Sequence, residues 1–268
     1  MERFPFNCLK EVPRESTVSP SEHCPIDRRR HARRSETHRD RPEHVPADAA
    51  AAYALQREIL SLRDTTVGGW KVGSKSTSGG PINGALLPED GLFASGSQVE
   101  CVDYPSPILE LEIAFRLNRE FTPRDEPYSD EEVLSSIGSM GTTIEVVSSR
   151  FAAWPKIEPL LALGDLLNHG ALIIGDFVPY DASFPFLEPA LTFTYAGEDI
   201  VPGDGANPAG DPRRLLPWLV NHHTRNGLSV TPDLVITTGS YTGMYQTKGP
   251  GLAVGEIRGL PPISVELI

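Results

Sequence analysis

Between Pro107 and Leu117 the side chains alternate: Leu109, Leu111 and Ile113 fall on one side and Glu110 and Glu112 on the other, the period of two of a β-strand. Thr142 to Val147 repeats the pattern with β-branched residues and sets Glu145 opposite Ile144 and Val146. Shorter apolar runs at Ala171–Ile174, Ala190–Tyr195, Leu234–Thr238 and Ile263–Ile268, separated by Gly and Pro, also read as strands. Gly68–Gly73 is short and bounded by glycine, so it predicts a short strand or a turn. The period lengthens elsewhere. Tyr53, Leu55, Ile59 and Leu62 predict a helix over Ala49–Leu62. Ser129 followed by Glu132 is a capping box, which predicts a helix from there to about Met140, ended by Gly141. Asp211-Pro212 supplies an N-cap and first helical residue for a helix through Trp218 and Leu219 to about Arg225, and Pro217 inside it predicts a kink or a late start. Many short strands and few helices, with 24 Gly and 25 Pro, predict a strand-dominated α+β fold rather than a doubly wound one.

Composition narrows where that fold lies. A chain of 268 residues is long enough for one sizeable core and short for two. Met1 to Pro46 is poor in aliphatic residues and carries the basic run Arg28–Arg34, which predicts a tail without ordered packing and a single catalytic unit over 47–268. The tail holds ten Lys and Arg against eight Asp and Glu, a net +2, so with −12 overall the remainder carries −14. Such a surface repels nucleic acid and anionic membranes. No apolar run approaches the roughly 20 residues of a membrane span, and the N-terminus lacks the apolar core of a signal peptide, so a cytoplasmic protein is expected. Cys8, Cys24 and Cys101 are too far apart for a Cys-x-x-Cys zinc site or a disulfide framework.

Glutamates on strands otherwise built from Leu, Ile and Val carry the chemistry. On an antiparallel sheet with one wet face they would simply be solvated. Alternatively, Glu110 and Glu112 project in parallel and converge with Glu145 from a second strand, and three packed carboxylates raise one another's pKa unless a cation lies between them. Oxygen-only ligation favours Mg²⁺ or Mn²⁺ over zinc and leaves coordination positions for a chelating 2-keto acid. Lys71 is either a surface lysine beside Trp70 or an anchor for a substrate carboxylate. Glu89 and Asp90, in a Pro-flanked loop, are turn formers or one acid/base carboxylate. His222 and His223 point about 100° apart on a helix and cannot share one ion, whereas His169 is the better pocket candidate. Gly239-Ser240-Tyr241-Thr242-Gly243 lacks the spacing of a nucleophile elbow, and Gly203-Asp204-Gly205 lacks the rest of a dinucleotide or P-loop fingerprint.

Three of these segments carry a resemblance. Gly69-Trp70-Lys71-Val72-Gly73 resembles the Gly-aromatic-Lys-aliphatic-Gly motif of the 2-keto-4-pentenoate hydratase group of the fumarylacetoacetate hydrolase superfamily. Glu110-Leu111-Glu112-Ile113-Ala114-Phe115 is similar to its Glu-x-Glu-Ile-Ala-Phe strand, and Glu145-Val146-Val147-Ser148-Ser149-Arg150 to its Glu-aliphatic-aliphatic-x-Ser-Arg segment. Asn168, Trp218-Leu219 and Thr238-Gly239-Ser240 also fall where that group has an Asn, a Trp-Leu helix and a Thr-Gly-Ser strand end. The resemblance runs from about Tyr53 to the C-terminus. It implies a mixed β-roll, Mg²⁺ or Mn²⁺ held by Glu110, Glu112 and Glu145, substrate contacts from Lys71, Asn168 and Ser240, an acid/base role for Asp90 or Glu89, and a homo-oligomer. The implied reaction adds water to a 2-hydroxy-2,4-dienoate, a small 2-keto acid of aromatic-compound degradation. A 2-oxo-3-enedioate decarboxylase is the nearest alternative, then an acylpyruvate hydrolase, whose third ligand is usually Asp, and a non-catalytic keto-acid-binding relative.

Overall fold

The computed structural model describes residues 45–201 and 203–268. Cys8, Cys24, the basic run and nearly all of the expected tail therefore lie outside the described residues.

Helix α1 (Ala49–Leu62) begins at Asp48, whose carboxylate accepts from the Ala51 backbone N–H. Its buried face includes Gln56, whose amide donates to the Leu163 carbonyl at 2.7 Å and accepts from the Leu86 backbone N–H at 3.1 Å, so one polar side chain fixes the helix to two other elements. Strands β1 (Val67–Ser74) and β2 (Ile82–Pro88) pair antiparallel, followed by the short β3 (Leu92–Ala94) and β4 (Ser97–Val99). Then come β5 (Ile108–Leu117), helix α2 (Asp130–Leu134), β6 (Ile137–Val147), helix α3 (Pro159–Gly164) and β7 (His169–Pro179). The second half contains β8 (Leu191–Tyr195), β9 (Glu198–Asp199), helix α4 (Leu215–Arg225), β10 (Val235–Ser240), β11 (Tyr245–Gln246), β12 (Gly251–Ile257) and β13 (Ile263–Leu267).

These strands form two sheets. The larger runs β2-β1-β10-β5-β6-β7-β3, with β11 added beside β5, and the smaller runs β4-β13-β12-β8-β9. Leu109, Leu111, Ile113 and Phe115 of β5 are fully buried in the core between them. The sheets approach so closely that a Cβ on Gly255 of β12 would stand 2.4 Å from a Leu111 methyl carbon. The fold is the expected strand-dominated α+β type. Among the described residues, no helix is long and apolar enough to cross a membrane.

Two elements differ from the sequence reading, and a third, the helix after Asp211, shows the late start expected of it. The capping box at Ser129 is present, but the helix ends at Leu134 and the chain enters β6 at Ile137, because pairing with β5 outweighs the helical spacing of Ile137 and Met140. Gly68–Gly73 lies within an eight-residue strand held between β2 and β10. After Asp211 a 3₁₀ turn precedes α4, so Pro217 sits in the first turn of the α-helix, where its missing N–H is harmless.

Candidate metal centre

Register brings the glutamates together. Glu110 lies directly opposite Glu145 across the β5–β6 pair, and Glu112, two residues along β5, shares their face. One oxygen from each of Glu110, Glu112 and Glu145 lies within 4.8 Å of the others. Among the described residues this is the one group of three or more His, Cys, Asp or Glu side chains placed to hold an ion. The face is largely dry: Glu112 is 2% exposed and Glu145 0%, and only Glu110 is partly exposed.

Each carboxylate is held differently. Glu112 Oε2 accepts from the Thr237 hydroxyl and from the Gly239 backbone N–H at 3.0 Å. That N–H is available because the β10 register slips between Thr237 and Ser240, where Gly239 adopts φ +91°, a conformation that favours glycine. Glu145 Oε1 accepts from Lys71 Nζ at 2.6 Å and from His169 Nδ1 at 2.9 Å, while its Oε2 is buried without a hydrogen-bond partner. Burial first, then the charges of Glu112 and Glu145, push the Glu110 carboxyl up to about 8. Burial and the Glu145 charge raise Glu112 to about 7. Burial also acts to raise Glu145, but Lys71 and His169 outweigh it and hold that carboxyl at about 2. Burial alone would discharge Lys71; the three glutamates more than offset this and keep it charged. Burial lowers His169 to about 4 despite Glu145, so a neutral imidazole donates its Nδ1–H.

Leu166, Leu167 and Asn168 have φ of 53°, 52° and 61°, three successive left-handed residues that cost roughly 1–2 kcal/mol each. The turn delivers the Leu167 carbonyl to Lys71 Nζ at 3.2 Å and leads directly into His169. Asn168 Oδ1 and His169 Nε2 are buried without hydrogen-bond partners. Arg150 pairs with Asp165 and donates to the His169 carbonyl at 2.8 Å, bracing the turn.

The sequence-derived candidates therefore separate. Lys71, Glu110, Glu112 and Glu145 come together. Ser240 lies opposite Glu112 in register, although its hydroxyl donates to the Gly243 carbonyl of its own turn. Asn168 stands in the turn between Lys71's carbonyl partner and His169. Glu89 and Asp90 are not brought to the triad. Both lie beyond the Val67 end of β1, at least four residues, or about 13 Å of strand, from Lys71. Asp90 pairs with Arg63 at 2.7 Å, and Glu89 accepts from the Thr66 hydroxyl. Sequence reasoning gave Thr237 and Arg150 no role at the site, and the Leu167 carbonyl, a backbone group, leaves no side-chain signal.

The donor set fits a hard divalent cation: oxygen-only ligands, two of them at raised pKa, and an unpartnered buried oxygen on the third.

No family model matches the chain. It is similar to the 2-keto-4-pentenoate hydratase of Burkholderia vietnamiensis, at 29% identity over 222 residues, covering 80% of this chain and 84% of that one. Its counterpart from Paraburkholderia phymatum is 27% identical over the same coverage. Among solved structures, 4-oxalocrotonate decarboxylase from Pseudomonas putida G7, complexed with magnesium and adipate, superposes with a TM-score of 0.76 at 19% identity, covering 91% of this chain and 94% of that one. A putative fumarylpyruvate hydrolase from Burkholderia cenocepacia superposes at 0.56 with 15% identity, covering 74% and 83%.

Proposed function

The chain is a relative of the 2-keto-4-pentenoate hydratase group within the fumarylacetoacetate hydrolase superfamily, and from that premise we propose that it is a divalent-metal-dependent hydratase. Its substrate is a 2-hydroxy-2,4-dienoate of the kind formed when aromatic rings are cleaved, and its product a 4-hydroxy-2-oxo acid. The observation that carries this reading is the convergence of three carboxylates within 4.8 Å of one another on a buried sheet face beside a charged lysine.

Glu110, Glu112 and Glu145 would hold Mg²⁺ or Mn²⁺, which would supply Lewis acidity to a bound 2-keto acid. Lys71 has three N–H donors, of which Glu145 and the Leu167 carbonyl take two, leaving one for the substrate carboxylate. His169 donates to Glu145 Oε1 and holds that carboxylate in place, leaving the buried, unpartnered Oε2 for a cation. Asn168 Oδ1 accepts a hydrogen bond from the C2 hydroxyl of the dienol. The reaction moves that enol proton to C5, giving a 2-oxo-3-enoate, and then adds hydroxide at C4 and a proton at C3. Water enters and nothing leaves.

The test follows the ultraviolet band of 2-hydroxypenta-2,4-dienoate with metal-stripped protein, before and after Mg²⁺ or Mn²⁺ is added. The expected result is loss of the band only with metal, accompanied by 4-hydroxy-2-oxopentanoate. A band unchanged under every condition overturns the hydratase. The superposition on a decarboxylase favours one second reading, in which carbon dioxide leaves from a 2-oxo-3-enedioate. Release of carbon dioxide from that substrate, with no dienoate hydration, would replace the first reading.

A further inference from the structure

We infer that the outer face of helix α4 is a second binding site, on the far side of the sheet from the glutamates, and that it takes a planar aromatic carboxylate. Arg214, Trp218, His222 and Arg225 follow one another at intervals of four, four and three residues, the spacing of one helical face, and extend about 16 Å along it. They line a groove of about 360 Å³, within the range of small-molecule sites, about 300–1,000 Å³. The Trp70 ring of β1 lies 3.6 Å from that of His223 and 6.3 Å from that of His222, so α4 covers the Trp70 side of β1. Successive strand residues point to opposite sides, and Lys71 reaches Glu145 on the other. The groove shares no residue with the glutamate cluster, and binding there does not depend on the reaction proposed above.

The cations of the groove are uncommitted. Arg214 is half-buried, and its guanidinium is held by two neutral acceptors, the Ala209 carbonyl, 2.8 Å from Nε, and the Ser76 carbonyl, which takes Nη2. Among the described residues it pairs with no carboxylate, so three of its five N–H groups remain for a ligand, in the planar fork that matches a carboxylate. Arg225, at the other end, is exposed and likewise unpaired among the described residues. The lining has one acidic residue, Asp130, and burial, then the charges of Arg57 and Arg225, lower His222 and leave it neutral. A net positive groove on residues that carry −14 in total is where an anion is drawn.

The floor of the groove is flat and fixed. The Trp218 indole lies 9° from parallel with the His222 imidazole, 4.8 Å between centroids, and rests an edge on Gly84 of β2, where a Cβ would stand 3.3 Å from Cζ3. Asn221 spends both ends of its amide on the Tyr128 backbone, accepting at 2.8 Å and donating at 2.9 Å, which ties α4 to the segment that carries Asp130. A planar ring is stabilised by stacking on such a surface, and its carboxylate by a guanidinium already in place. A phosphate dianion finds no glycine-rich loop or ring of backbone amides, since no glycine lines the groove.

Calorimetric titration of the full-length protein with 1-naphthoate tests this. The controls are 1-naphthamide, which lacks the charge, decalin-1-carboxylate, which lacks the planar ring, and adenosine monophosphate. One equivalent of 1-naphthoate should bind, and each control should bind about tenfold more weakly or worse. Arg214→Gln should weaken 1-naphthoate by about tenfold to a hundredfold. Arg225→Glu, at an exposed position, should weaken it by about threefold to tenfold in dilute buffer and hardly at all at high salt. Glu110→Ala should leave it unchanged. Absence of saturable binding, equal affinity for the amide, tighter binding of adenosine monophosphate, or loss of binding in Glu110→Ala overturns the site. Should circular dichroism show Arg214→Gln unfolded, an affinity unchanged by Arg225→Glu in dilute buffer overturns it alone. Binding of 1-naphthoate by protein that hydrates no dienoate would keep this site and remove only the hydratase.

Discussion

The two faces of β5 look alike in exposure and opposite in chemistry. Leu109, Leu111 and Ile113 are fully buried against the second sheet, and Glu112, on the other face, is 2% exposed. Alternation of apolar and charged residues ordinarily separates a dry side from a wet one. Here the second side is nearly dry as well, with only Glu110 and Arg116 partly exposed. The glutamate face offers little of the hydration that would make its charges harmless, so each glutamate on it is held by a named partner or raised in pKa. A carboxylate-bearing strand that remains buried on both faces is a stronger sign of a bound cation than the Glu-x-Glu spacing itself.

Neighbouring substitutions on the two faces should give opposite results. Glu110→Ala is expected to cost at least about a thousandfold in hydration rate, from the several kcal/mol of charge stabilisation that depends on the cation. It should not lower the stability of the metal-stripped protein, since burial and the charges of Glu112 and Glu145 already disfavour its ionised form. Leu111→Ala should lower the unfolding free energy by about 2–5 kcal/mol, read by urea denaturation. If Glu110→Ala unfolded the protein as readily as Leu111→Ala, the contrast between the faces would collapse.

His169→Gln sharpens the contrast one layer out. Removing the group that orients Glu145 should weaken Mg²⁺ binding by about 10–100-fold while circular dichroism stays unchanged. Titration gives a test whose sign is fixed. Glu110 and Glu112 have folded-state pKa values near 8 and 7, above the ordinary carboxylate value of 4.5, whereas His169 and His223 are lowered from 6.5 to about 4 and about 3 and oppose them below 6.5; above 6.5 only the glutamate shifts remain, and the folded protein binds more protons than the unfolded chain. Stability of the metal-stripped protein should therefore fall as pH rises from about 6.5 to about 8, and metal should bind more tightly over the same interval as it displaces those protons. Thermal unfolding across that range, with and without Mg²⁺, checks both signs. The smallest effect is expected from Asp90→Asn: loss of the Arg63 pair should cost about 1 kcal/mol or less, with activity within about twofold of the parent.

How much of this could be read in the chain depended on whether the signal was local. Helix α1 keeps its expected bounds because Asp48 caps it and its apolar residues repeat at helical spacing. Strand β5 keeps its faces for the same reason at a period of two. The residues after Leu134 were misread, since Ile137 and Met140 fit a helix locally and only the distant β5 makes them strand. Strand β12 was missed because its glycines at 251 and 255 dilute the apolar pattern, yet a Cβ at either would collide with Tyr195 or Leu111. In the site, the glutamates and Lys71 were legible as side chains in short motifs. Glu89 and Asp90 were chosen by proximity to a motif in sequence, and their Thr66 and Arg63 partners draw them elsewhere. His169 was legible only as a neighbour of Asn168. The carbonyl that engages Lys71 belongs to a backbone shape for which no residue at 166–168 advertises a preference except Asn168.

That shape limits how this protein can be engineered. Glycine at position 166 or 167 would accept the left-handed conformation without strain, and a screen for thermostability alone would be drawn to it. The same change would free the loop that holds one acceptor of Lys71 and introduces His169, so the heat resistance gained would be set against slack around the glutamate cluster. A stabilisation campaign on this enzyme should begin elsewhere in the fold and leave those three positions untouched.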